Sequence, residues 1–112
     1  MTWINLTLIQ QLDEIKEASG YSLIFKHSTR CSISLMAKKS FEADWDVIPK
    51  DTKLYFLDLI KHRDVSNQIA ETFQIAHQSP QILLIKNRKC VVTSSHSDIS
   101  ADEIATAIRE KV

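Results

Sequence analysis

Apolar residues recur every three or four positions in four segments of the chain, and this spacing predicts four amphipathic helices. The best-marked helix begins at Ser100, which forms a capping box with Glu103. The other three are predicted over residues 7–19, from near Cys31 to about Asp44, and from Asp64 onward. The residues expected to face the core from the first two helices are Leu8, Ile9, Leu12, Ile15, Ile33, Met36 and Ala37.

Short apolar runs between these segments, rich in β-branched, aromatic and aliphatic residues, predict strands. They are Tyr21–Phe25, Lys53–Ile60, Gln81–Ile85 and Cys90–Thr93, and the pair Trp3–Ile4 is compatible with a further short strand. The last two long runs are separated by four polar residues, with an asparagine at position 87. This arrangement predicts a β-hairpin.

The predicted order of elements is α-β-α-β-α-β-β-α, in a chain whose 112 residues predict one domain spanning residues 1–112. Strands that alternate with helices pair in parallel because each crossover returns the chain in the same direction. The hairpin adds antiparallel strands. We therefore expect an α/β fold in which a mixed central sheet carries helices on both faces. A thioredoxin-like domain uses this order of elements.

The composition argues against several classes of function. Fourteen basic and fourteen acidic residues cancel, so no nucleic-acid partner is predicted. The single glycine argues against Gly-rich phosphate loops and hence against a nucleotide cofactor. No apolar stretch approaches the roughly 20 residues that span a bilayer, and no signal-peptide pattern is present, so we expect a cytoplasmic protein without a membrane partner. The four histidines lack metal-ligand spacing, and no metal site is predicted.

The two cysteines, Cys31 and Cys90, are too few for a disulfide framework and form no Cys-x-x-Cys pair. Cys31 falls where an inner strand ends and a helix begins, a region in which open α/β sheets bind ligands. The positive end of that helix, with Lys26, Arg30 and a protonated His27 nearby, would favour a thiolate, which attacks disulfides. The alternative is a buried cysteine that packs as a small hydrophobe, but the polar residues before Cys31 favour the reactive interpretation. For Cys90, packing within a strand is favoured over pairing with Cys31.

Pro80 opens the apolar run that begins at Gln81, a position where a missing N–H is tolerated. Thioredoxin-like domains hold such a proline in cis, facing the active cysteine, and the residue before it pairs its backbone with an extended substrate. From the residues alone, a trans bond at the start of a strand is the alternative, since only about 5–6% of X-Pro bonds in folded proteins are cis, so the cis form rests on the resemblance to such domains.

The chain resembles the monothiol bacilliredoxins, the YtxJ-like proteins of the bacillithiol system. The resemblance is carried by residues 26–34, Lys-His-Ser-Thr-Arg-Cys-Ser-Ile-Ser, and residues 77–81, His-Gln-Ser-Pro-Gln. It spans nearly the whole chain and implies a thioredoxin fold. It also implies removal of bacillithiol from mixed disulfides on client proteins, with Cys31 as the nucleophile and bacillithiol as the thiol co-substrate. Ser34 stands where dithiol relatives have a resolving cysteine, so a cycle with one cysteine is expected.

The resemblance also implies a set of substrate contacts, since bacillithiol carries malate carboxylates that cations would bind. The residues expected to contact substrate are Lys26, Arg30, Ser32, Ser34, Ser79 and Pro80, with His27 and His77 in auxiliary roles. One departure concerns Ser32, because the family commonly has proline after its cysteine. The exchange bears on rate and redox potential and leaves the basic reaction unchanged.

Two other functions fit the same residues. One is a thioredoxin-fold binding module whose Cys31 is chemically inert. The other is a monothiol glutaredoxin-like iron–sulfur carrier, in which Cys31 and a small thiol hold a cluster between two subunits. The absence of Gly-Phe in the stretch that follows Cys31 weakens the carrier interpretation.

Overall fold

The computed structural model describes residues 1–112 and contains a five-stranded sheet with four helices packed against it. The strands are β1 (Ile4–Asn5), β2 (Ser22–His27), β3 (Lys53–Asp58), β4 (Gln81–Lys86) and β5 (Lys89–Ser95). The helices are α1 (Gln11–Glu17), α2 (Ser32–Asp44), α3 (Arg63–Phe73) and α4 (Ala101–Arg109). Short 3-10 turns follow α2 at Trp45–Val47 and β5 at His96–Asp98. No helix is both long enough and apolar enough to cross a bilayer.

The sheet has the strand order β1-β3-β2-β4-β5. Strands β1 and β2 both pair in parallel with β3, whereas β4 runs antiparallel to β2 and to β5. The predicted element order and mixed sheet are therefore confirmed. The carboxyl ends of β1, β2 and β3 and the amino end of β4 lie at the same end of the sheet. The loops at this end form the candidate site.

The hydrophobic core is divided by the sheet into two layers. Alternate residues of β2 point to opposite faces, so Ile24 packs in the layer covered by α1 and α3, whereas Leu23 and Phe25 pack in the layer covered by α2 and α4. Helices α1 and α3 contribute Leu12, Ile15, Val65, Ile69 and Phe73, and helices α2 and α4 contribute Phe41, Ile104, Ala105 and Ala107.

The start of the first helix differs from the prediction. Helix α1 begins at Gln11, and the Oε1 atom of Gln11 accepts hydrogen bonds from the backbone N–H groups of Thr7 at 2.8 Å and Leu8 at 3.0 Å. Because Gln11 satisfies these donors, residues 7–10 form a turn before the helix. Leu8 and Ile9, predicted to face the core, are 57% and 42% exposed.

The orientation of α2 also differs from the prediction. Its buried residues are Ser34 and Phe41, seven positions apart on one face, whereas Ile33 and Met36 are 54% and 70% exposed. The physical reason lies at the beginning of the helix, where hydrogen bonds hold the hydroxyl of Ser34 inside the fold. Helix α2 is therefore rotated about its own axis so that Ile33 and Met36 face solvent.

The remaining boundaries agree closely with the sequence. Strands β4 and β5 are joined by the two-residue turn Asn87–Arg88, whose φ angles of 52° and 67° are those that such hairpins require. Ser100 caps α4 by accepting a hydrogen bond from the N–H of Glu103 at 3.3 Å, which confirms that start signal. At α3 the capping position is His62 rather than the predicted Asp64, which lies in the first turn.

Candidate active site

Cys31 is the residue that caps the N-terminus of the 13-residue helix α2. It has extended backbone angles, φ −114° and ψ 119°, and its carbonyl accepts a hydrogen bond from the N–H of Leu35 at 3.1 Å. Its own N–H donates to the carbonyl of Ser28 at 3.2 Å, closing a tight turn after β2. The side chain is partly exposed and carries no disulfide. A thiol here lies at the positive end of a helix and within reach of solvent.

The Ser79–Pro80 segment lies at the same end of the sheet as Cys31, and its peptide bond is cis. Lys26 of β2 pairs with Gln81 of β4, so the antiparallel register places Pro80 across from His27. The carbonyl of Pro80 accepts a hydrogen bond from the N–H of His96 at 3.0 Å. Pro80 is buried and Ser79 is partly exposed. The loop that carries Cys31 and the segment that carries Pro80 therefore lie at the same end of the adjacent strands β2 and β4.

Ser34 is fully buried and holds the turn before Cys31. Its Oγ accepts a hydrogen bond from the N–H of Ser28 at 3.0 Å and lies 2.7 Å from Nδ1 of His27. Burial, and secondarily the charge of Lys38, lowers the pKa of His27, so the ring is neutral near pH 7. The Ser34 hydroxyl and Nδ1 of His27 therefore share a hydrogen bond, and the ring nitrogen that carries the proton sets its direction.

These contacts correct two expectations. Ser34 was predicted to contact substrate, but its hydroxyl is enclosed and bound to Ser28 and His27. A protonated His27 was expected to add positive charge beside Cys31, but the neutral ring adds none. Both residues instead stiffen the turn that leads from β2 to Cys31.

Lys26 is fully buried, which corrects the expectation that its ammonium group meets a bound ligand. Its Nζ donates a hydrogen bond to the carbonyl of Ser66 at 3.2 Å and lies 3.3 Å from Nδ1 of His77. Burial lowers the pKa of Lys26 to about 8. The side chain lies on the α3 face because its position in β2 alternates with those of Phe25 and His27.

His77 is exposed and lies three residues before Pro80. Partial burial of the ring, together with the nearby charges of Lys26 and Arg63, lowers the pKa of His77. The neutral Nδ1 can accept a hydrogen bond from the Lys26 ammonium group, and this contact links the segment before Pro80 to β2. Both Lys26 and His77 are predicted site residues, but nothing in the sequence indicates that they touch.

Arg30 and Ser32 flank Cys31 and are both exposed. None of the three ion pairs of the protein includes Arg30, so its guanidinium group can bind an anionic ligand beside the thiol. Ser32 is the first residue of α2, where its N–H group faces no intrahelical acceptor.

A shallow groove lies beside the same turn, between α2 and the segment after β5, with a volume of about 300 Å³. Its lining residues are Ile33, Met36, Ala37, Ser40, His96, Ser97 and Ile99. The sequence does not predict this groove, because the helical spacing of Ile33 and Met36 predicts that both face the core. The seven-residue spacing between Ser34 and Phe41 is the sequence feature that identifies the buried face of α2 correctly.

Cys90 lies at the other end of the sheet. It pairs with Ile85, whereas the site end of β4 is Gln81, about 13 Å away at the usual rise per strand residue. Its Sγ donates to the carbonyl of Val92 at 3.3 Å, and burial raises the pKa of the thiol to about 11. The prediction of a packed strand cysteine is confirmed, and Cys90 is not placed to resolve a disulfide on Cys31.

Comparison with solved structures agrees with this geometry. A thioredoxin-fold protein inferred to be an oxidoreductase is 32% identical, with a TM-score of 0.81, over 93% of this chain and 91% of that protein. Thioredoxins from Malassezia sympodialis and Trypanosoma brucei brucei have TM-scores of 0.74 and 0.76 at 15% and 8% identity. The Malassezia thioredoxin is matched over 97% of this chain and 90% of its own chain, and the Trypanosoma thioredoxin over 98% of this chain and 90% of its own. At such identities these two show a shared fold alone.

The model of the family described as monothiol bacilliredoxin BrxC matches residues 4–104. The matched range includes the turn that carries Cys31 and the segment that carries Pro80. The family and the 32% identical relative together indicate thiol redox chemistry. The chain therefore belongs to the monothiol bacilliredoxin family.

Proposed function

We propose that this protein is a thiol–disulfide oxidoreductase that removes bacillithiol from mixed disulfides on client proteins, using Cys31 as its nucleophile. The observation that carries the proposal is the position of Cys31, which is partly exposed at the start of α2 and lies at the same end of the sheet as the cis Ser79–Pro80 bond. Family membership supports the choice of bacillithiol as the small thiol.

The reaction is a pair of thiol–disulfide exchanges. The Cys31 thiolate attacks the bacillithiol sulfur of the mixed disulfide, a new disulfide forms between them, and the client leaves as a thiolate that takes a proton from water. A second bacillithiol thiolate then attacks the bacillithiol sulfur held on Cys31. This step restores the Cys31 thiolate and yields bacillithiol disulfide, so the client thiol is reduced and one free bacillithiol is oxidised, while the bacillithiol taken from the client stays at the disulfide level.

A cycle with one cysteine is supported by the surroundings of Cys31. The position three residues later is Ser34, which has no thiol, and Cys90 lies at the far end of the sheet. Both exchanges must therefore pass through Cys31. The clients are bacillithiolated proteins, and we place the activity in the cytoplasm, where small thiols keep Cys31 reduced.

Substrate binding is proposed to use groups that solvent can reach. Arg30 would bind a malate carboxylate of bacillithiol, since it is exposed and has no carboxylate partner in the protein. The N–H group of Ser32 would lie near the reacting sulfur atoms, and the backbone of Ser79 would pair with the extended chain of the client. Lys26 and Ser34 are left out of direct contact because both are buried.

The proposal is tested with a peptide that carries bacillithiol on its single cysteine, mixed with reduced protein and free bacillithiol. We expect release of the free peptide thiol, a transient protein adduct on Cys31 seen by mass spectrometry, and full loss of both in Cys31→Ser. Cys90→Ala is the matched control and should behave as the unchanged protein.

The identity of the small thiol is tested by offering glutathione and coenzyme A mixed disulfides of the same peptide in parallel. Faster removal of bacillithiol than of the other two thiols is expected. A preference for glutathione would contradict the choice of bacillithiol and leave the exchange reaction in place. Failure of Cys31 to react with any of the three would favour a binding module without catalysis.

A further inference from the structure

Lys26 presents an unusual buried charge close to the site. Its side chain is fully buried, none of the three ion pairs includes it, and its Nζ has only the Ser66 carbonyl and the His77 ring as partners. An ammonium group that is buried without a carboxylate partner costs folding free energy. A methionine would fill a similar space without this cost. The charge at position 26 therefore has to be explained by something other than stability.

The neighbour of Lys26 across the sheet, Gln81, holds the same loop. The two residues are directly paired in β2 and β4, so their side chains lie on one face of the sheet. Gln81 is buried, its Oε1 accepts from the N–H of Gln78 at 3.2 Å, and its Nε2 donates to the carbonyl of Ala76 at 3.1 Å. With His77 bound to Lys26, three consecutive residues before Ser79 are held by two adjacent strands.

We propose that Lys26 is a positioning residue for thiol exchange: together with Gln81 it fixes residues 76–78, so that Ser79 presents its backbone to the disulfide substrate beside Cys31. The inference rests on the proposed function, because it concerns how the client chain is held. It does not require Lys26 to touch the substrate or the sulfur. We call the hydrogen bonds of Lys26 and Gln81 to residues 76–78 the clamp. Its contact between Lys26 and His77 can be removed by a single substitution.

The clamp depends on the protonation of two groups. His77 must be neutral so that its Nδ1 can accept a hydrogen bond, and the charges facing its ring are those of Lys26 and Arg63. Lys26 must be protonated to donate strongly, and this holds below about pH 8. No acidic residue forms an ion pair with Lys26, His77 or Arg63. The clamp should therefore weaken when acid protonates His77 and when alkali removes the charge of Lys26.

The test compares two rates in the unchanged protein, its Lys26→Met and His77→Ala variants, and the double variant. The first is exchange with the bacillithiolated peptide, and the second is alkylation of Cys31 by iodoacetamide, which needs no backbone pairing. We expect each single variant to lose about tenfold in exchange, the effect of one charge-assisted hydrogen bond, while alkylation changes less than about twofold. The double variant should be no slower than the slower single variant.

The rate of exchange divided by the rate of alkylation is then measured as a function of pH. Both reactions require the Cys31 thiolate, so the ionisation of Cys31 cancels in this ratio. The ratio therefore distinguishes a positioning role of Lys26 from a merely structural one. In the unchanged protein the ratio should fall above about pH 8, and in Lys26→Met it should be flat there. Lys86→Met is the matched control, because Lys86 also donates to a backbone carbonyl, that of Ser19 at 2.7 Å, at the far end of β4. It should match the unchanged protein in both rates.

Three results would overturn the inference: an unchanged ratio in Lys26→Met, independent effects of the two substitutions, or parallel loss of alkylation and exchange. If Lys26→Met fails to fold, His77→Ala alone decides, because His77 is exposed and outside the core. Absence of exchange in the unchanged protein would instead contradict the proposed function, so the two failures are distinguishable.

Discussion

Replacing Lys26 by methionine is expected to stabilise the protein, although the residue lies fully inside the fold. Burial lowers the pKa of its ammonium group from 10.5 to about 8. Since a difference of one in pKa corresponds to 1.36 kcal/mol, keeping the charge buried at pH 7 costs about 3 kcal/mol. Methionine removes this cost but leaves the Ser66 carbonyl without its partner, which costs about 1 kcal/mol. The free energy of unfolding should rise by about 2 kcal/mol.

The stability difference between the two proteins should also depend on pH. The folded protein releases the Lys26 proton at a lower pH than the unfolded chain does, so the unfolded state binds more protons between about pH 8 and 10.5. Stability of the unchanged protein therefore rises with pH across this window relative to the variant, which lacks the group. The advantage of Lys26→Met should shrink by about 2 kcal/mol between pH 7 and pH 10.

The assay is urea unfolding of both proteins with reductant present, followed by the fluorescence of Trp3 and Trp45, at pH 7 and pH 10. Lys86→Met, whose side chain is only partly buried, should stay within about 0.5 kcal/mol of the unchanged protein at both values. Lower stability of Lys26→Met at pH 7, or a difference that does not change with pH, would refute the reasoning. Higher stability with slower exchange would show that the charge is kept for function.

Further predictions concern four other side chains. Ser34→Ala should lower the free energy of unfolding by about 1–3 kcal/mol, measured by urea unfolding, because the N–H of Ser28 and the ring of His27 lose their partner, the buried Ser34 hydroxyl. In Cys31→Ser, iodoacetamide should label Cys90 slowly below about pH 10, because its thiol has a pKa near 11; fast labelling at pH 7 would contradict its burial. Ser100→Ala should cost about 1 kcal/mol through loss of the α4 cap, a loss that Ser100→Asp should largely avoid. Met36→Lys should leave the free energy of unfolding within about 0.5 kcal/mol, since Met36 is 70% exposed; a large loss would show that it packs in the core.

Local patterns in the sequence determined much of the fold. The hairpin at Asn87 and the cap at Ser100 are set by residues close together in the chain, and both are found as predicted. The order of helices and strands then restricts how the sheet can pair, because crossovers between parallel strands are strongly constrained. The same patterns placed Cys31 between a strand and a helix, so the location of this thiol at the end of the sheet followed from the sequence.

Only the tertiary structure decided which way side chains face and which distant residues meet. Ile33 and Met36 have the spacing of a buried face, yet the hydrogen bonds of Ser34 to the preceding turn rotate them outward. Lys26 and His77 are 51 positions apart, and they touch because β4 returns antiparallel beside β2. Periodicity describes one element at a time, whereas burial and protonation depend on what packs against that element from elsewhere in the chain.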